Sequence, residues 1–274
     1  MESGTGIDGG RENWARLTDG LPDTSGEMAR EIMAALKTAG YAYLTLPVSV
    51  EHHDLVAAQM GEVTSRSDVK VDKERAVLQE KTRVVKGRPG PYGYDLVGFH
   101  TDNIRVDVMS MYCLEQDEID GSILLLDAGD VAEHFSAQEL ASLSNVELWA
   151  PPVTPPGKEK EDLYYKAPLV SKGDDGYRVY YIPWLLPDAP NPVSRRMLRR
   201  FSDYLKEKEE TQLIKLPVER HESVFIDNHR MLHGRGPITE NSKRHMIRHY
   251  ISVPSIACNE IIRKVQLDSA DRTS

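Results

Sequence analysis

Hydrophobic positions at helical spacing mark the first structured part of the chain. Thr24 followed by Glu27 has the spacing of a capping box, and the apolar residues after it share one helical face until Gly40. These apolar positions are Met28, Ile32, Met33 and Leu36. A strand is predicted over residues 41–46 and a second helix over residues 50–60.

Beyond about residue 81 the pattern changes to short β-rich segments separated by Gly, Pro and Asp. Strands this short and this numerous favour a sandwich or barrel over a parallel α/β sheet. The predicted strands cover residues 82–85, 104–114, 123–126, 146–149, 163–169, 177–182, 213–218, 224–226 and 246–253. One helix interrupts them after Pro192, with its apolar face formed by Met197, Leu198, Phe201, Tyr204 and Leu205. The pattern therefore predicts a mainly β fold with flanking helices.

The length of 274 residues fits a single domain, because β sandwiches and barrels often reach this size. We find no internal repeat and no low-complexity linker, and we predict one domain over residues 24–267. Residues 1–23 are polar and Gly-rich, and we expect them to be weakly ordered. Residues 268–274 are expected to form a frayed tail.

Charge and cysteine content narrow the class of partner. The formal net charge of −9, with Arg and Lys scattered among acids, argues against a nucleic-acid partner, although a small anionic substrate stays compatible with it. Only Cys113 and Cys258 are present, so no disulfide framework is indicated. With no signal-peptide pattern and no apolar run long enough for a bilayer, we expect a cytoplasmic protein without a membrane partner. No feature of the sequence indicates an oligomeric state.

A His-x-Asp pattern at His100 and Asp102 is the first candidate for chemistry. The pattern arises readily by chance, and the chain contains a second copy at His52 and Asp54. That second copy lies in a predicted helix, where residues two apart point to different faces. His100 and Asp102 precede a predicted strand, and in extended structure residues two apart share a face. Alone, they could equally be a turn His beside a capping Asp.

A distant His would complete a metal site with this pair. The predicted strand ending at residue 226 is followed by a turn that carries His229 and His233, and either could be a ligand. We favour His233, because Gly234 and Gly236 leave room for a ligand or another backbone to approach. His229 is then expected to satisfy a hydrogen bond of the turn. Two His and one carboxylate on one face of a metal form the ligand set of non-haem Fe(II) oxygenases.

Two arginines, Arg244 and Arg248, follow near the start of the last predicted strand. In extended structure they share a face about 13 Å apart, a spacing that suits two separate anionic groups better than one. A guanidinium holds a carboxylate through two parallel hydrogen bonds, and burial strengthens the pairing. The alternative is that both arginines belong to surface ion pairs.

In this order, the segments resemble the Fe(II)/2-oxoglutarate oxygenases grouped with taurine dioxygenase and clavaminate synthase. They are Phe99-His100-Thr101-Asp102, then Asp227-Asn228-His229-Arg230 with His233, then Arg244 and Arg248. Length and segment order are similar to compact members such as carbapenem synthase. The resemblance implies a double-stranded β helix, or jelly roll, flanked by helices.

The resemblance also implies roles for individual residues. His100, Asp102 and His233 would bind iron, and Arg244 would hold the distal carboxylate of 2-oxoglutarate. Arg248 would face the primary substrate or support the cosubstrate, and Arg235 would approach the cosubstrate. Many relatives place a Thr hydroxyl beside this carboxylate, whereas here Ile123 stands at the expected position. Ser122 is the nearest hydroxyl, although adjacent strand residues point to opposite faces.

For the family, oxidative decarboxylation of 2-oxoglutarate with O₂ gives succinate and CO₂ and drives attack on an unactivated C–H bond. The carboxylate of Asp102 fills the position that a halide takes in related halogenases, so hydroxylation, desaturation or ring chemistry is expected. The expected substrate is a small, carboxylate-bearing metabolite, with natural product biosynthesis as its setting. Candidate pocket walls are Tyr92, Tyr94, Asn103, Tyr164, Tyr165 and Trp184, although each aromatic ring could instead pack in the core.

Two other readings of the same residues stay open. A Zn(II) hydrolase could use two His and one Asp with an activated water, but it leaves Arg244 and Arg248 without a role. A jelly-roll binding module could keep the histidines for structural reasons. Metal content and succinate production distinguish the three readings.

Overall fold

The computed structural model of the protein describes residues 24–70, 94–117, 120–150, 163–185, 192–211, 214–256 and 263–266. The strand predicted at residues 82–85 and the two tails, 1–23 and 268–274, lie outside these residues. The domain boundaries at residues 24 and 267 therefore stay a prediction.

Helices in the described residues flank a larger number of strands. They are α1 (Ser25–Ala39), α2 (Val50–Met60), α3 (Ala128–His134), α4 (Ala137–Ser144) and α5 (Pro192–Thr211), with a 3₁₀ turn at Pro183–Leu185. In α1 the Thr24 hydroxyl accepts a hydrogen bond from the Glu27 N–H, and Gly40 ends the helix with a φ of 78°. This confirms the predicted cap and stop. None of the described helices combines the length and the apolar character that a membrane span requires.

The strands are short, as the sequence predicts. They are β1 (Tyr41–Leu44), β2 (Glu62–Lys70), β3 (Val97–His100), β4 (Val108–Glu115), β5 (Ile123–Asp127), β6 (Glu147–Ala150), β7 (Leu163–Pro168), β8 (Val170–Gly173), β9 (Gly176–Val179), β10 (Ile214–Leu216), β11 (Ser223–Asp227), β12 (Met231–Arg235), β13 (His245–Ser252) and β14 (Arg263–Gln266).

Two antiparallel sheets form the body of the fold. The larger has the strand order β1-β11-β4-β13-β2, and the smaller has the order β10-β5-β12-β3. Strands β14-β7-β6 and β8-β9 make two further small sheets. Neighbours in the two main sheets are far apart in sequence, so the chain crosses repeatedly between them.

The core between the two main sheets follows from strand alternation. On β5, Ile123 and Leu125 join a buried cluster shared by both sheets, whereas Leu124 and Leu126 join a second cluster with the helices α3 to α5. Successive residues of a strand point to opposite faces, so β5 is buried on both sides. A third cluster packs α1 and α2 against the outer face of the larger sheet. This is the predicted mainly β architecture with flanking helices.

Several elements differ from the sequence-based prediction. His233 lies in strand β12 rather than in a turn, and the short helices α3 and α4 were not predicted. These helices have 7 and 8 residues, too few to display a helical repeat. Strand β2 was missed as well, because it is a polar strand at the edge of its sheet and lacks apolar alternation.

Candidate metal centre

His100 and His233 face each other across the antiparallel pair β3 and β12. They are register partners, and their ring centroids are 4.4 Å apart. Asp102 follows directly after β3, and its Oδ2 lies 3.7 Å from Nε2 of His233. One possible ligand atom from each of the three residues lies within 4.8 Å of the others. The structure thus brings together the three residues that the sequence predicts as ligands.

Unpartnered polar atoms point to what this cluster could hold. In the described part of the chain, Oδ2 of Asp102 and Nδ1 of His233 are buried and have no hydrogen-bond partner. Nδ1 of His100 lies 2.9 Å from the Gly98 carbonyl oxygen, a contact that leaves Nε2 free for a metal. A buried carboxylate oxygen without a partner is costly, and a divalent cation would satisfy it. The donor set therefore fits a single transition-metal ion.

Electrostatics place the three groups in the protonation states that a metal requires. Burial, and then the neighbouring His100, lower the pKa of His233 to about 3, and burial also lowers the pKa of His100. Burial alone would raise the pKa of Asp102, but the nearby His233 and Arg248 outweigh it, and the pKa is lowered. At neutral pH the cluster offers two neutral imidazoles and one carboxylate.

The segment between the two ligands is tied to a neighbouring strand end. Thr101 donates its backbone N–H to the Tyr181 carbonyl at 2.8 Å, and its hydroxyl accepts from the Tyr181 N–H at 2.9 Å. Thr101 is 1% exposed. This reciprocal pair holds the middle residue of the His-x-Asp pattern, so the backbone on both sides of it has little freedom.

The long helix α5 supports strand β3 from the other side. The Glu209 carboxylate accepts a hydrogen bond of 2.8 Å from the Phe99 N–H, directly before His100. A Cβ at Gly98 would lie only 2.4 Å from the same carboxylate oxygen. Burial raises the pKa of Glu209. Gly98 therefore leaves room for the Glu209 carboxylate beside the strand that carries His100.

Gly234 permits an equally close approach between β12 and β3. A Cβ at this position would lie 2.6 Å from the Val97 carbonyl oxygen, which is backbone and cannot give way easily. Gly234 thus makes room for another backbone beside His233, as the sequence predicts. His229 lies outside the cluster, because its Nε2 contacts Asp107 Oδ1 at 3.0 Å.

Two neighbouring arginines, Arg244 and Arg235, lie close together, the first buried and the second partly buried. Arg244 is 5% exposed, and its Nε donates to the Gly121 carbonyl at 3.2 Å. Burial, and then the nearby Arg235, lower its pKa to about 10. Arg235 donates to the carbonyl oxygens of Gly236 and Asp95, at 2.6 and 3.2 Å, and burial lowers its pKa to about 10 as well. Both guanidiniums stay charged at neutral pH, and together they favour an anion.

Arg248 lies next to the cluster formed by His100, Asp102 and His233. Its Nη1 lies 4.0 Å from Oδ2 of Asp102, and its guanidinium carbon lies 4.5 Å from the Tyr250 ring centroid. Within the described residues, its Nε is buried and unpartnered. The Tyr250 hydroxyl hydrogen-bonds the Asp102 side chain. Arg244 lies just before β13 rather than on it, because the strand begins at His245, whereas Arg248 lies within the strand. Their side chains contact different groups.

Ser122 and Ile123 lie beside these arginines but face opposite ways. The Ser122 hydroxyl hydrogen-bonds Asp120, and its backbone N–H donates to the same carboxylate at 3.1 Å. Ile123 points into the core between the sheets. The hydroxyl of Ser122 is therefore already bonded to Asp120.

The predicted pocket walls divide into several groups. The Trp184 ring centroid lies 5.0 Å from that of His100, so Trp184 borders the metal cluster. Asn103 accepts the Arg105 N–H at 3.0 Å, while Tyr94 is partly buried. Tyr165 packs in the cluster that contains the helices α3 to α5, with the Arg105 guanidinium over its ring. It is therefore a core residue, the alternative to a pocket wall. Tyr92 and the side chain of Tyr164 lie outside the described residues.

Several residues around the three candidate ligands were not predicted. Glu209, Asn228 and Tyr250 contact Asp102 or the backbone beside the candidate ligands, and Thr101, between His100 and Asp102, bonds Tyr181. Thr101 and Asn228 belong to the segments that carry the predicted ligands, so their position was a usable clue. Nothing in the sequence connects Glu209 with residue 99, because that contact depends on how α5 packs.

Two antiparallel sheets around a His-Asp-His cluster define the class of jelly-roll proteins with a three-residue metal site, to which non-haem Fe(II) oxygenases belong. A family profile described as taurine catabolism dioxygenase TauD, TfdA family matches residues 11–250. The chain belongs to this family, and the predicted enzyme class, a dioxygenase, is confirmed. No curated protein sequence matches the chain.

Solved structures with the same fold include three oxygenases. An asparagine oxygenase in complex with Fe(II), 2S,3S-3-hydroxyasparagine and succinate has a TM-score of 0.61 at 15% identity, over 82% of this chain and 79% of its own. PvcB from Pseudomonas aeruginosa has a TM-score of 0.62 at 15% identity, over 89% of this chain and 86% of its own. The non-heme iron oxygenase OrfP, in complex with Fe and alpha-ketoglutaric acid, has a TM-score of 0.57 at 15% identity, over 86% of this chain and 84% of its own. These likenesses confirm the predicted jelly roll.

Proposed function

We propose that the protein is an Fe(II)- and 2-oxoglutarate-dependent oxygenase whose metal is held by His100, Asp102 and His233. The observation that carries the proposal is the buried Asp102 oxygen, which has no hydrogen-bond partner in the described part of the chain, inside a cluster of three ligand atoms. When bound, iron with 2-oxoglutarate and O₂ supplies the oxidising chemistry that cleaves an unactivated C–H bond, with succinate and CO₂ as coproducts. The protein supplies position, charge and exclusion of water.

Arg244 is our proposed anchor for the distal carboxylate of 2-oxoglutarate. Its burial supports this role, because an ion pair is stronger away from water. Arg235 lies close enough to raise the local positive charge, and its hydrogen bonds to two carbonyl oxygens hold its guanidinium in place. Of the three predicted cosubstrate contacts, Ser122 has the least support, because its hydroxyl is bonded to Asp120.

The primary substrate is proposed to be an amino acid or another small carboxylate, hydroxylated at an unactivated carbon. Arg248, beside Asp102 and with a buried unpartnered Nε, is positioned for its carboxylate. Trp184 and Asn103 would contribute walls, and Tyr94, with Tyr92 before it, would form a lid. The structural neighbours solved in complex with 2S,3S-3-hydroxyasparagine and with (3S)-hydroxy-L-Arg support an amino-acid substrate.

We also propose that the enzyme acts in the cytoplasm on a free metabolite, as part of a natural product pathway. The net charge of −9 and the two cysteines support a cytosolic enzyme without a nucleic-acid partner. PvcB, described as an oxygenase from an isonitrile synthetic pathway, shows that this fold serves such pathways.

Succinate release tests the proposal. The protein is incubated with Fe(II), 2-oxoglutarate and O₂ and with a panel of amino acids and small carboxylates, and succinate and oxidised product are measured together. We expect His100→Ala, Asp102→Ala and His233→Ala to abolish metal binding and turnover. His229→Gln is the matched control, because it keeps a donor for Asp107 and should keep its iron. Full activity of His233→Ala would contradict the ligand assignment.

The same experiment decides between the proposal and its rivals. Stoichiometric iron with succinate release supports the oxygenase. Stoichiometric zinc without any 2-oxoglutarate consumption would favour a hydrolase, and a protein that binds no metal would favour a binding module.

A further inference from the structure

Asn228 connects the loop that carries Asp102 with the turn that leads to His233. Its side chain is 1% exposed and lies in the turn between β11 and β12, five residues before His233. Its Oδ1 accepts a hydrogen bond of 2.7 Å from the Asp102 N–H. Its Nδ2 donates to the carbonyl oxygens of Asn103, at 3.2 Å, and Val106, at 2.9 Å.

The backbone of Asn228 adds a fourth bond to the same loop, because its N–H donates to the Asp107 carbonyl at 3.0 Å. All four of these hydrogen bonds end on residues 102–107. This loop carries the carboxylate ligand but belongs to no strand, so no ladder of sheet hydrogen bonds fixes Asp102. The direction of a side chain follows the backbone from which it leaves, so the orientation of the loop sets the direction of the carboxylate.

We propose that Asn228 is a positioning residue of the metal centre: it holds the Asp102 loop in the orientation that directs the carboxylate toward His100 and His233. The inference rests on the proposed function only in taking these three residues as metal ligands. Through this contact, the turn that leads to the distal His also sets the position of the carboxylate. The two ligands are thereby aligned with each other by a single side chain.

The chemistry of the amide explains why Asn suits this position. It accepts one hydrogen bond and donates two, which is what an N–H and two carbonyl oxygens require. An Asp here would keep the acceptor but would place a second carboxylate oxygen against the carbonyls of Asn103 and Val106. Buried groups without partners cost free energy, and the loop would move to relieve that cost.

Asn228→Asp tests the proposal, with Ser110→Ala as control. Ser110 is fully buried and polar, and its hydroxyl contacts His53 and His249 on the other side of β4, away from the loop. Both substitutions disturb buried hydrogen bonds, but only one of them touches the loop of Asp102. The readouts are Co(II) affinity, the visible absorption spectrum of the Co(II)-saturated protein and the unfolding temperature of the metal-free protein.

We expect Asn228→Asp to weaken Co(II) binding by roughly 10- to 100-fold, the usual effect of losing a group that orients a metal ligand. We also expect its Co(II)-saturated spectrum to differ from that of the wild type, because the carboxylate reaches the metal differently. Ser110→Ala should keep the wild-type affinity and spectrum even if its unfolding temperature falls. If Asn228→Asp does not fold, Asn228→Ser, which adds no charge, carries the same expectation.

A wild-type affinity and spectrum in the Asn228 variant would overturn the positioning role, whatever its unfolding temperature. Wild-type protein that binds no Co(II) would instead overturn the proposed function. The two failures are therefore distinguishable.

Discussion

Arg244 and Arg248 lie four residues apart, yet their surroundings differ. Arg244 is buried beside Arg235 and bonds the Gly121 carbonyl, whereas Arg248 lies against the Tyr250 ring and faces Asp102. The surroundings of Arg244 contain two cations and therefore favour the binding of an anionic group. The surroundings of Arg248 adjoin the metal cluster and favour an anion that must reach the reacting centre.

Replacing Arg244 should therefore affect the cosubstrate. We expect Arg244→Ala to raise the 2-oxoglutarate concentration needed for half-maximal succinate production by about 10- to 100-fold, the cost of losing a buried charge-assisted hydrogen bond. The measurement is initial rate against 2-oxoglutarate at saturating Fe(II). If only the requirement for the primary substrate rises, the roles of Arg244 and Arg248 are exchanged.

At this scale the sequence predicts what is chemically distinctive. His100, Asp102 and His233 could be selected because their types and spacing match a metal site, and the structure brings them together. Thr101 and Asn228 carry common polar side chains whose role depends on which carbonyl or N–H they meet. These hydrogen bonds join residues far apart in sequence, and no spacing rule predicts them.

At the scale of elements, the approach of β12 to β3 depends on the small size of Gly234. Gly234→Ala would place a Cβ against the Val97 carbonyl, and β3 would have to move away. We expect a loss of about 1–3 kcal/mol in the free energy of unfolding, typical of overpacking, together with weaker metal binding. Urea unfolding and Co(II) titration measure the two effects.

Gly26→Ala is the matched control for that experiment. Gly26 lies in α1, and a Cβ there would meet no atom closer than 3.9 Å. We expect this variant to keep its metal affinity and to gain slightly in stability, since Ala favours helix. Equal metal affinity in both variants would mean that the contact between β3 and β12 does not set the ligand geometry.

Elements with complete local patterns are those that the sequence predicts well. Helix α1 has its cap, its apolar face and its terminal glycine within a short stretch, and α5 has a long apolar face. Strand β12 has none of these, because its buried residues surround His233 and glycine follows directly. Its strand conformation comes from pairing with β3 and β5, which is a tertiary effect.

At the scale of the whole molecule, buried histidines make stability depend on pH. His53 is 1% exposed and contacts Ser110 at 3.1 Å, and burial, then the nearby His249, lower its pKa to about 3. In the unfolded chain the pKa returns to its ordinary value near 6.5, so below that pH the unfolded state binds a proton that the folded state does not. Folding stability must fall as pH falls from 6.5 toward 3.

Each such imidazole contributes about 1.4 kcal/mol per pH unit to that slope. We expect the free energy of unfolding of the metal-free His53→Gln protein to depend less steeply on pH than that of the wild type, by about this amount, between roughly pH 6 and pH 4. Urea titrations at several pH values measure it. Ser110→Ala keeps the imidazole and should keep the slope, whereas identical slopes in wild type and His53→Gln would show that His53 is protonated in the folded protein.

The fold class itself was predictable from the many short strands, because such strands bury their apolar faces by packing into a sandwich or barrel. What the sequence could not supply is the pairing order of the strands, in which β12 lies between β5 and β3. That order depends on distant contacts, and it decides which histidine joins His100.

The pairing of β3 with β12 also affects how the chain holds together. Its two histidines come from opposite halves of the sequence, so an ion bound between them would close a very long loop, as a covalent cross-link does. Such an ion binds only the folded chain, and at a free metal concentration 100 times its dissociation constant it adds about 2.7 kcal/mol to the free energy of unfolding. Metal supply would then govern the lifetime of the enzyme as well as its activity.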